Sequence, residues 1–143
     1  MMISPMAYRE SIESLDMEEL VKERNRLLKE IKRFETNERM SKVVLHNNTL
    51  YLCGQTHDEG DVKEQTAAIL NKIETLLNQY GSDKNHILSA TIYLKDIAKD
   101  FKDMNSVWDT WVEKGFAPAR ACVEANMARE CLLVEISIIA ATK

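Results

Sequence analysis

The chain has 143 residues, enough for one hydrophobic core and too few for two ordinary domains. Hydrophobic residues make up 45% and charged residues 29%, the balance of a soluble globular protein, which argues against disordered, collagen-like and membrane-spanning classes. A formal net charge of -4, with no long basic run, offers no footprint for phosphate backbones or anionic membranes, so neither nucleic acid nor a membrane is an expected partner.

Met1 to Glu10 has no basic segment leading into an apolar stretch, and a cytoplasmic location is expected. Residues 1 to 38 read as an N-terminal helical extension. Asp16 and Glu19 have the spacing of a capping box, and Leu15 and Leu20 stand at the two positions of a hydrophobic staple. A helix is predicted from Asp16 to about Thr36. Its narrow apolar stripe, Leu20, Leu27, Ile31 and Phe34, is too thin to hold it in isolation, so it should dock on the main domain or on a partner subunit.

Residues 39 to 143 form the predicted main domain. Period-two patterning gives a hairpin from Val43 to Gln55 around Asn47-Asn48, residues that tolerate the positive φ of a tight turn. Asp61 with Glu64 caps a long helix whose apolar face runs from Val62 to Tyr80, and Gly81 ends it. Leu88, Ala90, Ile92 and Leu94 alternate in a third strand, which a helical crossover must reach. A second helix, about Ala98 to Glu113, puts Phe101, Met104, Val107, Trp108 and Trp111 on one side, with both tryptophans read as core anchors. Two more strands follow, Ala119 to Ala125 and Cys131 to Ala141. The order ββαβαββ is an α+β fold, a mixed sheet with two helices on one face. Its other face carries Leu133, Glu135, Ser137 and Ile139, half apolar and half polar, as a self-associating protein presents.

The cysteines Cys53, Cys122 and Cys131 are odd in number and form no CxxC pair, so neither a disulfide framework nor a zinc site is expected, and core packing is their default role. Among ionisable residues in strands, Arg120, Glu124 and Glu135 stand out. Arg120 shares a face with Cys122, and a guanidinium there needs a partner or a ligand. Glu135 interrupts an otherwise apolar strand, so its carboxylate faces a cavity, an interface or Arg120. Patterning alone leaves a structural salt bridge and a functional site equally open.

The stretch Pro118-Ala119-Arg120-Ala121-Cys122-Val123-Glu124, followed by Leu133-Val134-Glu135-Ile136, resembles the C-terminal signature of the RidA/YjgF family of enamine and imine deaminases. Cys53-Gly54-Gln55, Ala90 to Asp96 and Met104-Asn105 resemble further family segments in order and spacing, so the resemblance runs from Arg39 to Lys143. It implies a chorismate-mutase-like homotrimer with sites between subunits, and hydrolysis of 2-aminoacrylate and related 2-imino acids to 2-oxo acids and ammonia without a cofactor or metal. By the same resemblance Arg120 grips the substrate carboxylate and Glu135 orients the attacking water, with Cys122, Cys53, Gly54, Met40 and Asn105 lining the substrate. Met40 stands where archetypal members carry a tyrosine, Cys53 where they carry serine, and Thr56-His57 where they carry apolar residues. A non-catalytic carboxylate-binding or scaffolding trimer is the rival reading; chorismate mutase follows from architecture alone.

Overall fold

The structure, a computed structural model, describes residues 16–143. Helix α1 (Met17–Lys29) leads into strand β1 (Lys32–Thr36), and β2 (Ser41–His46), β3 (Thr49–Leu52), α2 (Val62–Gln79), β4 (Ile87–Leu94), α3 (Ile97–Trp111), β5 (Ala119–Glu124) and β6 (Val134–Ala141) follow. The six strands form one sheet in the order β1-β2-β3-β6-β4-β5, antiparallel throughout except for the parallel pair β4 and β5 that brackets α3. This is the expected α+β architecture with one strand more.

The extra strand corrects the reading of the N-terminal segment. The helix predicted to reach Thr36 ends at Lys29, because Glu30 turns extended and the next residues pair with β2, Phe34 opposite Val43. Phe34 then stacks on Tyr80 of α2's C-cap, ring centroids 4.8 Å apart. At the start of α1 the Asp16 carboxylate accepts from the Glu18 N–H, an ordinary N-cap in place of the expected box with Glu19; Leu15 of the expected staple lies outside the described residues. No residue of α1 is fully buried. Its C-terminal end touches the β2–β3 turn, where the Asn47 N–H donates to the Leu28 carbonyl.

Local signals elsewhere are met in full. Asn47 and Asn48 both take positive φ, 50° and 59°, closing the hairpin. The Asp61 and Glu64 capping box forms reciprocally, and Gly81 takes φ 82° beyond α2. The core lies between the sheet and the two covering helices: Ile69, Ile73 and Leu77 of α2 and Met104 of α3 meet Val43, Ile92, Ile136 and Ile138 of the sheet. Three expected core residues are outside it, among them Cys131, which is exposed ahead of β6. Leu88 is the extra residue of a bulge between Ile87 and Ser89 and is 52% exposed, while Phe101 points off the side of α3 at 42%. Among the described residues no helix is long and apolar enough to cross a membrane.

Candidate functional site

Register decides where the ionisable side chains go. Arg120 lies opposite Ala90, which lies opposite Ile138, and both of these are buried beneath the helices. Arg120, Cys122 and Glu124 therefore belong to the helix side of the sheet. Glu135 lies opposite Tyr93, which lies opposite Val123, on the face that no helix covers among the described residues. The two residues are also two strands and three register steps apart, roughly 14 Å between Cα atoms. One chain does not bring Arg120 and Glu135 together; it places them in two separate clusters, two candidate half-sites.

The first half-site grows from an irregularity in β3. Tyr51 pairs with Ile139 and Gln55 bridges Ile136, so four steps on one strand match three on the other. The surplus residue at Cys53-Gly54 bends the chain over β6. A Cβ at Gly54 would lie 2.6 Å from Glu135 Oε2, so the carboxylate rests against this backbone because the residue is glycine. Gln55 Nε2 donates to the Cys53 carbonyl at 3.0 Å and to its Sγ at 3.3 Å, fixing the bend. Burial pushes the Cys53 thiol up and the Gln55 hydrogen bond opposes it; nearby Glu135 pushes it up further. A thiol held protonated is a packing group rather than a nucleophile. Met40, 42% exposed, sits at the β1–β2 turn, where the Asn37 side chain accepts from its N–H; it is two residues from Lys42, whose carbonyl accepts from the Cys53 N–H. His57 is half-buried.

The second half-site is on the edge strand. Arg120 Nη1 donates to Asn105 Oδ1 at 2.7 Å, and the guanidinium carbon stands 5.3 Å from the Trp108 ring centroid. Asn105 and Trp108 are three residues apart on α3 and face the same side. Cys122, half-buried beside them, has its thiol pushed up by burial, with Arg120 opposing. Glu124 is structural: its Oε1 accepts the Ile97 N–H at 3.0 Å and, with Asp96 on the Lys99 N–H, caps α3. The contact of Trp108 with Arg120 was missed in the sequence, where spacing on the helix marked the indole only as apolar. Its place one turn from Asn105 was the available signal. Among the described residues no group of three or more His, Cys, Asp or Glu side chains is placed to hold a metal ion.

Chemically, the halves are complementary: a fixed planar cation suited to a carboxylate, and a carboxylate able to accept a hydrogen bond from a water.

Comparisons with known proteins bear on this arrangement. A family described as Endoribonuclease L-PSP matches residues 30–142, which takes in β1 and extends the likeness upstream of Arg39. The chain is 46% identical over 112 residues to the RutC family protein YoaB of Escherichia coli K12, spanning 78% of this chain and 97% of that one. It is 42% identical over 113 residues to a RutC family protein of Haemophilus influenzae, spanning 77% and 97%. Among solved structures, NMB1025 of Neisseria meningitidis, a member of the YjgF protein family, superposes with a TM-score of 0.78 at 44% identity, covering 81% of this chain and 98% of that one. YyfA of Yersinia pestis, from the Rid protein family, does so at 0.72 and 27% identity, covering 79% and 100%.

Proposed function

Because the chain belongs to the RutC/RidA/YjgF family and has its chorismate-mutase-like α+β fold, we propose that it hydrolyses small reactive 2-imino acids to 2-oxo acids and ammonia. The observation that carries this is the Glu135 carboxylate seated against Gly54. In the proposed reaction Arg120 grips the substrate carboxylate through two parallel hydrogen bonds, a geometry a lysine ammonium lacks. Glu135 holds a water beside the C=N carbon and takes its proton as the C–O bond forms. The proton passes to nitrogen to give the carbinolamine; its hydroxyl proton then moves to the amine as the C–N bond breaks, the C=O forms and ammonia leaves. 2-Aminoacrylate enters this sequence as its imine tautomer. Such imines are intrinsically labile, so orientation and local electrostatics suffice, and no electron-sink cofactor is called for.

Opposite-face placement of Arg120 and Glu135 supports a site shared between copies, in which the uncovered sheet face and the β5 edge of neighbouring subunits meet. A homotrimer is the assembly we propose. Three free cysteines fit a reducing, cytoplasmic setting. RNA cleavage, suggested by the family's description, finds little support in a net charge of -4. The exposed Met40, which brings no hydroxyl to the site, favours the second reading, a carboxylate-binding trimer without turnover.

The test generates 2-aminoacrylate with a dehydratase and follows pyruvate release. Wild type should accelerate it and Arg120→Ala should not. Equal rates for the two would overturn the assignment, and Arg120-dependent binding of pyruvate without acceleration would select the second reading.

A further inference from the structure

We infer that Asn105 and Trp108 are positioning residues that set the Arg120 guanidinium in one orientation before a ligand arrives. This rests on reading Arg120 as the carboxylate grip. A guanidinium carries five N–H groups in one plane. Asn105 takes one of them, from Nη1 at 2.7 Å, and the guanidinium carbon lies over the Trp108 ring, 5.3 Å from its centroid. Nε and Nη2 retain the paired N–H groups that fork onto a carboxylate. An arginine on an exposed edge strand would otherwise sample many rotamers, and each ligand would have to immobilise it at a cost in affinity.

The shelf beneath the guanidinium is itself braced. Trp108 is 5% exposed and leans on Trp111, ring centroids 5.6 Å apart. Trp111 Nε1 donates to Glu74 Oε1 of α2 at 3.0 Å, and Lys84 Nζ lies 5.8 Å from its ring centroid. Two indoles thus link the edge-strand arginine to the α2–α3 layer. Core filling alone requires a large apolar ring at position 108; it does not require a cation over that ring with a hydrogen-bond acceptor one helical turn earlier.

The substrate carboxylate keeps its charge while the C=N bond is hydrolysed, so the grip serves ground state and transition state alike. Loosening it raises KM and leaves kcat nearly unchanged. In the full-length protein, Asn105→Ala and Trp108→Leu should each raise KM for 2-aminoacrylate about 3- to 10-fold with kcat within about 2-fold of wild type. Trp108→Phe, which keeps an aromatic face, should recover most of the loss. Pyruvate binding should perturb tryptophan emission in wild type, and the perturbation should vanish in Trp108→Phe although Trp111 remains. Should Trp108→Leu melt at a much lower temperature than wild type, the half-buried Asn105→Ala decides. Unchanged KM in Asn105→Ala, with Arg120→Ala failing to bind pyruvate, overturns the positioning roles and leaves the grip intact. Pyruvate binding in Arg120→Ala as tight as in wild type overturns the grip, and the positioning roles with it.

Discussion

Gly54 is a position where stability and activity should separate. An added methyl would meet the Glu135 side chain at Oε2, Cδ and Cγ, 2.6, 2.9 and 3.2 Å away, and a rotation of that side chain relieves the contact. Gly54→Ala should therefore melt within about 2 °C of wild type, yet kcat should fall about 10- to 100-fold as the carboxylate leaves its seat. Unchanged kcat would remove Glu135 from the reaction. A second residue yields a pH prediction. Asp100 in the first turn of α3 is 5% exposed, and burial is the main cause that raises its carboxyl; Lys99 opposes, while Asp96, Asp103 and Asp61 add to the rise. The native state then binds this proton more tightly than the unfolded state, so stability falls as pH climbs from the unfolded value near 3.8 through the raised folded one. At neutral pH the ionised Asp100 is a net cost. Asp100→Asn should raise the melting temperature at pH 7, and the gain should disappear below about pH 3.8. A gain of equal size at pH 3 would point to another origin.

Strand β1 and helix α1 make opposite predictions from similar residues. Phe34 packs on Tyr80, whose hydroxyl donates to Glu35 at 2.9 Å, so Phe34→Ala should cost about 1–3 kcal/mol in denaturant unfolding. Leu20 on α1 is 47% exposed, and Leu20→Ser should change stability by less than about 0.5 kcal/mol. Reversed magnitudes would mean that α1, and not β1, is the element packed on the domain. The same two elements explain what the sequence could tell. Leu27, Ile31 and Phe34 keep helical spacing across the break at Glu30, and only the pairing with β2 ends the helix there; periodicity cannot see a partner strand. Leu88 was misplaced for a related reason, since a bulge inserts one residue without altering the apolar run around it. The Asn47-Asn48 turn, the Asp61 cap and Gly81 were legible because their causes are local: a positive φ or a side chain reaching three residues along. Alternation put Arg120 with Cys122 and Glu135 with Ser137. That these sets lie on opposite faces needed the register through β4, and the link from Arg120 to Asn105 and Trp108 needed α3 laid across it.

For the assembly, opposite faces make a test by complementation. Glu135→Gln should be inactive alone, and so should Arg120→Ala at substrate concentrations well below its raised KM. Denatured together and refolded as mixed assemblies, they should recover about a quarter of wild-type activity, because one interface in four then joins an intact Arg120 to an intact Glu135. No recovery, with exchange of subunits verified, would mean that one chain supplies both groups after a rearrangement. The covering of α3 by Glu124, whose carboxylate holds the Ile97 N–H at 3.0 Å, has a consequence for how such a site can diverge. It closes β4, α3 and β5 into one contiguous unit that contains Arg120, Asn105 and Trp108, while Cys53, Gly54 and Glu135 come from segments on either side of it in the chain. On the proposed reading, the anchoring and reacting halves thus occupy separate stretches of the chain. After duplication, one copy could drift in its reacting half and still lend a working anchor to its sister in a mixed ring, so new substrate preferences can be tried without losing the old grip.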